Sequence, residues 1–220
     1  MSVRAVIFDR DGVLTRFDFG DLIAKLSRSP RASFTALWEM WESHLREAAP
    51  PREAEAERAY VRSFWRGVSR AWDLDAALES ELTEYEYTSA IRAYDDARPT
   101  LLEARERGLR VGVLSNFPFL GLDASLGAAG LRDLVDVTVA AGVGGTPKPR
   151  REAYESALTA LGVSAAECVF VDDEDECVRG ASAAGLHAYR LDRSRPHTEL
   201  PVLSKLSDVI RVLDAMEEST

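Results

Sequence analysis

The chain has 220 residues, 46% hydrophobic and 29% charged, enough apolar mass for one enzyme-sized core or a core with an insert. Its formal net charge of −10 opposes nucleic acid and anionic lipid as partners, and no apolar run approaches the roughly 20 residues that a membrane-spanning helix needs. Two cysteines without CxxC spacing, Cys168 and Cys177, and no signal peptide ahead of Val3, point to a reducing cytoplasm.

The first element is a short apolar run, Ala5, Val6, Ile7 and Phe8, as expected of a parallel strand buried on both faces, and it stops at Asp9, Arg10, Asp11 and Gly12. From about Phe17 to Ala93 the text is helical, rich in Ala, Glu, Arg and Leu, without strand runs. Phe34, Leu37, Trp38, Trp41 and Leu45 recur at helical spacing, and AAPPRE from Ala48 to Glu53 separates two helices. Trp38, Trp41, Trp65 and Trp72 all fall in this block and are expected to fill the core of a small helical bundle. Strands then alternate with helices. Leu109 to Ser115, Val135 to Ala141, Glu167 to Asp173 and His187 to Asp192 read as strands, with helices between them and a closing helix from about Leu203. Five strands separated by helices predict an α/β fold: a Rossmann-like open parallel sheet with an α-helical insertion between the first and second strands.

Ligands of such sheets bind at the carboxyl ends of the strands. Asp9 and Asp11 follow the first strand, Ser115 and Asn116 end the second, Lys148 lies after the third, and Asp172 and Asp173 end the fourth. Singly, each has an ordinary explanation: Asp11-Gly12 makes a turn, Ser115-Asn116 caps a helix, Lys148 is a solvated lysine, and the DDEDE run favours a helix N-terminus. That last explanation is kept for Glu174, Asp175 and Glu176. Jointly the set has no such explanation. Carboxylates about 4 Å apart repel by roughly 4 kcal/mol at an effective dielectric near 20, so the cluster calls for a cation. A hard ion such as Mg²⁺ suits oxygen ligands and tolerates substrate phosphate in its shell, while the Lys148 ammonium and the Ser115 hydroxyl suit phosphate oxygens. The chemistry indicated is phosphoryl transfer.

FDRDGVLT, VLSN, GTPKP and VFVDD, in that order, resemble the four motifs of the haloacid dehalogenase superfamily of phosphohydrolases, over nearly the whole chain. The resemblance implies a catalytic core of residues 1–16 and 94–220 with residues 17–93 as an inserted helical cap. It implies Asp9 as nucleophile, forming an aspartyl phosphate, and Asp11 as general acid and then base. Ser115, Asn116 and Lys148 would hold the phosphoryl group, and Mg²⁺ would be held by Asp9, the Asp11 carbonyl, Asp173 and Asp172, the last directly or through a neighbour. The expected partner is a small phosphorylated substrate, with no nucleic acid or membrane, in a monomer or homodimer. Four positions depart from the commonest family choices: Arg10, Thr15, Phe117 and Cys177, the last standing where Asp or Asn is frequent. Other readings of the motifs are a sugar phosphomutase of the same fold, a haloacid dehalogenase, whose mechanism needs no acid two residues on, and a catalytically silent regulatory relative. A phospho-acceptor receiver domain is disfavoured by motif order and chain length.

Overall fold

The structure is a computed structural model describing residues 2–27, 29–47, 51–195 and 201–218. Strand β1 (Ala5–Phe8) is wholly buried, and its residues alternate between two apolar layers. Val6 and Phe8 belong to a layer with Ala97, Leu101 and Ala104 of helix α5 (Ala97–Glu106), whereas Ala5 and Ile7 belong to another with Ala153, Tyr154 and Ala157 of helix α8 (Arg151–Leu161). That period of two, apolar on both sides, is why the run shows no polar alternation in sequence.

Every pairing in the main sheet is parallel. Its order is β5-β4-β1-β6-β7-β8, with β4 Arg110–Ser115, β5 Val137–Ala140, β6 Cys168–Asp172, β7 His187–Leu191 and β8 Val202–Leu203. The chain builds outward from β1 through β4 and β5, then crosses back to lay β6 on the other side of β1. This reversal makes the carboxyl ends of β1, β4 and β6 the natural binding edge.

The sheet has six strands, not the five expected. Leu203, read as the start of the closing helix, instead pairs with Leu191 in β8, and helix α10 (Asp208–Glu218) begins five residues later. The delay has a local cause: Oδ2 of Asp208 accepts the N–H groups of Ser204 and Lys205 and the Ser204 hydroxyl, turning the chain before the helix. Asp208 is held below the usual carboxylate range because these hydrogen bonds outweigh its burial, which alone would raise it.

Contacts divide the chain into two compact units, Met1–Phe17 with Ile91–Thr220, and Asp18–Ala90. The stretch expected to be purely helical from 17 to 93 has strands at its ends: β2 (Thr15–Phe17) pairs antiparallel with β3 (Ile91–Ala93). The Asp18–Ala90 unit is helical, with α1 Gly20–Leu26, α2 Phe34–Glu47, α3 Ala54–Trp72 and α4 Ala76–Thr83. In α3 the buried residues Tyr60, Phe64, Trp65, Val68 and Trp72 follow helical spacing and pack with Leu22, Leu26, Leu37, Leu78 and Leu82. Trp65 and Trp72 are core residues as expected and Trp41 packs against the core, but Trp38 is 47% exposed and stacks on Phe34, itself 51% exposed. Ala48, Ala49 and Pro50 of the interhelical break lie outside the described residues.

Candidate active site

Sheet register assembles the centre. Phe8 of β1 pairs with Val171 of β6, so the next residues, Asp9 and Asp172, emerge side by side, and the Asp9 N–H donates to the Val171 carbonyl at 2.9 Å. Lys148 arrives from the loop between helix α7 (Ala141–Gly144) and α8, and its Nζ donates to Asp9 Oδ1 and Asp172 Oδ2, each at 2.6 Å. Its side chain is only 2% exposed, so this is a buried ammonium between two carboxylates. Burial alone would lower the affinity of Lys148 for its proton, but Asp9 and Asp172 outweigh it and hold the ammonium well above its ordinary range.

One cation does not balance the cluster. Carboxylate oxygens of Asp9, Asp172 and Asp173 lie within 4.8 Å of one another. Burial and then the Asp9 charge push Asp172 up to about 7 and Asp173 up to about 6. Three carboxylates against one ammonium leave a surplus of negative charge, and hard oxygen donors carrying such a surplus fit a divalent cation of the Mg²⁺ type. Asp172 already has both oxygens engaged, Oδ2 by Lys148 and Oδ1 by the Glu174 N–H at 2.9 Å. Asp9 Oδ2 accepts no hydrogen bond among the described residues.

Backbone shape fixes Asp173. Gly12 has φ +79°, and a Cβ there would lie 2.1 Å from Asp173 Oδ2, so only glycine lets the turn after Asp11 approach that carboxylate. A second close approach shapes the loop after β4: a Cβ on Gly142 would sit 2.5 Å from the Asn116 carbonyl oxygen and 2.7 Å from that of Phe117.

The other expected residues have these partners. Ser115 is 3% exposed, and its Oγ accepts the Phe117 N–H at 3.2 Å, leaving its own proton for donation. Asn116, expected on phosphate, ties its side-chain amide to the backbone of Lys148: Nδ2 donates to the Lys148 carbonyl at 3.0 Å and Oδ1 accepts the Lys148 N–H at 2.8 Å. It therefore aims the lysine. Asp11 is absent from the Asp9, Asp172, Asp173 cluster. Its carboxylate is 41% exposed and ion-paired to Arg10, whose Nη2 lies 2.5 Å from Oδ2. Burial raises Asp11 above the ordinary carboxylate range, and Arg10 opposes that rise without cancelling it. Glu174, Asp175 and Glu176 begin helix α9 (Asp175–Ala183), as the DDEDE run suggests. Cys177 is buried and donates its thiol to Glu174 at 3.2 Å; burial, then the Asp172 charge, push that thiol up.

Two contributors escape a reading by motif. Arg193, just beyond β7, donates to the carbonyls of Gly12 at 3.2 Å and Val13 at 2.7 Å while gripping Asp96 with both terminal nitrogens. It braces the turn that carries Asp11. Arg10 registers in sequence only as a departure, yet it is the largest fully buried side chain among the described residues. A charged residue set between two aspartates is the one signal that could have marked it.

Residues 3–185 match the model of the haloacid dehalogenase-like hydrolase family. The chain belongs to that family. It is 38% identical over 218 residues to phosphatase MT3486 of Mycobacterium tuberculosis, covering 97% of this chain and 98% of the relative. It is also 27% identical over 206 residues to (S)-2-haloacid dehalogenase 4A of Burkholderia cepacia, covering 87% and 84% of the two chains. The crystal structure of the L-2-haloacid dehalogenase RSc1362 superposes with a TM-score of 0.69 over 97% of this chain and 100% of that one, at 23% identity, a likeness of fold. The chain is thus a haloacid dehalogenase-like hydrolase of α/β fold with phosphatase-named and dehalogenase-named relatives, and no helix among the described residues is long and apolar enough to cross a membrane.

Proposed function

We propose that this hydrolase is a Mg²⁺-dependent phosphatase that cleaves a small phosphate monoester through an aspartyl phosphate on Asp9. The observation that carries the reading is the pair of carboxylates with separate surroundings: Asp9 inside the Lys148 cluster, and Asp11, two residues on, outside it and half open to solvent. Displacing a halide from carbon needs a nucleophilic carboxylate and no proton donor, since halide is a stable anion. Displacing an alkoxide from phosphorus needs both. The excess of carboxylates over cations likewise suits a site that receives a metal ion and a phosphate together.

Asp9, Asp173 and the Asp11 carbonyl would hold the ion, with Asp172 beside them tied to Lys148. Bound there, Mg²⁺ supplies positive charge against the phosphoryl oxygens. Asp9 forms its bond to phosphorus as the bond to the leaving oxygen breaks, and Asp11 delivers a proton to that oxygen. Asp11, now a carboxylate, takes a proton from the water that attacks phosphorus, and the Asp9–phosphorus bond breaks to release inorganic phosphate. Lys148 holds Asp9 in line, Asn116 holds Lys148, and the Ser115 hydroxyl donates to a phosphoryl oxygen.

The test compares Asp9→Asn with Asp11→Asn on p-nitrophenyl phosphate and an alkyl phosphate. Asp9→Asn is expected to lose both activities by several orders of magnitude and to form no phosphoenzyme. Asp11→Asn is expected to lose alkyl ester hydrolysis, yet to release a burst of nitrophenolate and accumulate a phosphoryl adduct on Asp9, because that leaving group departs with little protonation. Chloride release from 2-chloropropionate by a protein inert to phosphate esters would overturn the assignment in favour of dehalogenation.

A further inference from the structure

Three of the four departures from the family pattern, Arg10, Thr15 and Phe117, form one cluster: Arg10 and Thr15 reach the carboxylate of Asp11, and Phe117 lies against the Arg10 guanidinium. The chain turns sharply at Arg10, whose carbonyl accepts the N–H groups of Leu14 at 2.9 Å and Thr15 at 2.8 Å, and this turn lets the neighbouring side chains of Arg10 and Asp11 face each other. Arg10 Nε donates to Asp11 Oδ1 at 3.1 Å and Nη2 donates to Oδ2 at 2.5 Å, a two-pronged grip. Nη1 donates to Ser125 Oγ, in helix α6 (Leu122–Ala128), at 2.9 Å, and the guanidinium lies 4.0 Å from the centroid of the Phe117 ring and 5.7 Å from that of Phe17. A planar group held by an ion pair, a hydroxyl and an aromatic face has one orientation, and it imposes that orientation on the carboxylate it grips.

The two oxygens of Asp11 are not equivalent. Oδ1 receives Arg10 Nε and lies 3.2 Å from the Thr15 hydroxyl, which is 3.4 Å from the Arg10 carbonyl, whereas among the described residues Oδ2 receives Arg10 Nη2 alone. A carboxylate oxygen presents two lone-pair sites, so Oδ1 is the more crowded oxygen and Oδ2 keeps one site open. We propose that Arg10 is a positioning residue for Asp11: its fork, anchored on Ser125 and Phe117, turns the carboxylate so that Oδ2 is the atom that hands a proton to the leaving oxygen and then takes one from water. This rests on the reading of Asp11 as acid and base.

The test measures the phosphorylation step in single turnovers of the full chain with Mg²⁺, using p-nitrophenyl phosphate and glycerol 2-phosphate, for wild type, Arg10→Met, Arg10→Lys, Ser125→Ala and Asp11→Asn. Lysine restores the buried charge but not the fork. Arg10→Lys is therefore expected to recover thermal stability relative to Arg10→Met, yet both are expected to lose about ten-fold or more on the alkyl ester and less than about three-fold on the aryl ester. Ser125→Ala, which keeps the arginine and removes its anchor, is expected to show the same ester-selective loss to a smaller degree, and it decides the matter if neither Arg10 variant folds. Wild-type ratios of the two rates in folded Arg10→Lys, or in Ser125→Ala where that variant decides, overturn the proposal, and so does an equal loss on both esters. An Asp11→Asn protein that fails to separate the esters overturns the acid–base reading itself, as does a wild type inert to both, and the proposal falls with it.

Discussion

Removing the Lys148 ammonium should cost more at neutral pH than in mild acid. Lys148→Met keeps the length of the side chain and removes two 2.6 Å ion pairs from a position that is 2% exposed. At that separation each pair is worth about 6 kcal/mol at an effective dielectric near 20, and the desolvation of a buried ammonium, several kcal/mol, offsets part of it. Removing one partner of a buried pair costs about 3–5 kcal/mol net, a large share of the stability of an ordinary domain. The sign with pH follows from the groups left behind. Lys148 is raised above its unfolded value, so its contribution is fully present at neutral pH and is lost only in strong alkali. Asp172 and Asp173, raised to about 7 and about 6 even with the lysine in place, become costlier to ionise without it. Protonation therefore relieves the variant as pH falls. Urea denaturation in chelator is expected to show the loss of about 3–5 kcal/mol near pH 8 and a clearly smaller loss near pH 5. A loss that is the same at both values, or under about 1 kcal/mol at the higher one, would refute the charge balance described above.

The same surplus charge makes metal binding visible without turnover. Mg²⁺ at about 100 times its dissociation constant is expected to stabilise the protein by about 2.7 kcal/mol near pH 8, and the thermal shift should shrink near pH 5, where Asp172 and Asp173 must first give up protons; a shift independent of pH would count against those two as the binding groups. Gly12→Ala places a methyl 2.1 Å from Asp173 Oδ2 at a φ of +79°. It is expected to cost about 2 kcal/mol or more and to abolish the Mg²⁺-induced shift, and retention of that shift would separate Asp173 from the metal.

Much of this was readable from the chain because burial writes itself into apolar runs. Strands β1, β4 and β6 are continuous or nearly continuous apolar segments, and their carboxyl ends carry Asp9, Ser115 and Asp172 where expected. The unread elements are too short to show a period: β2 and β3 have three residues each and β8 two. Leu203 and Leu206 suited a helix as well as a strand, and only the hydrogen bonds to Asp208 decide between them. Side-chain partners were less accessible still. Asn116 turns to a backbone 32 residues away, and Arg10 to a hydroxyl 115 residues away, distances over which a sequence pattern carries no geometry. Trp38 was misread because helical spacing identifies a face but not what covers it.

The arrangement also gives each carboxylate its own cation. Asp9 and Asp11 are two residues apart, with Lys148 paired to the first and Arg10 to the second, and the Asp9 charge still adds to the rise that burial causes at Asp11. Asp172 then looks redundant, since Lys148 could serve Asp9 alone, and its cost can be tested. A carboxyl raised from 3.8 to about 7 on folding destabilises the fold progressively above about pH 4 and fully above its folded value, by a few kcal/mol. Asp172→Asn keeps the shape and removes that charge. In chelator it is expected to be more stable than wild type near pH 8 and no more stable near pH 4, while the stabilisation that Mg²⁺ confers should weaken because a negative charge beside the ion is gone. This is the opposite sign to Lys148→Met at the same ion pair. An Asp172→Asn protein less stable than wild type near pH 8 would mean that the Lys148 contact outweighs the repulsion from Asp9, and the cluster would then be a structural ion pair, not a site strained to receive a cation.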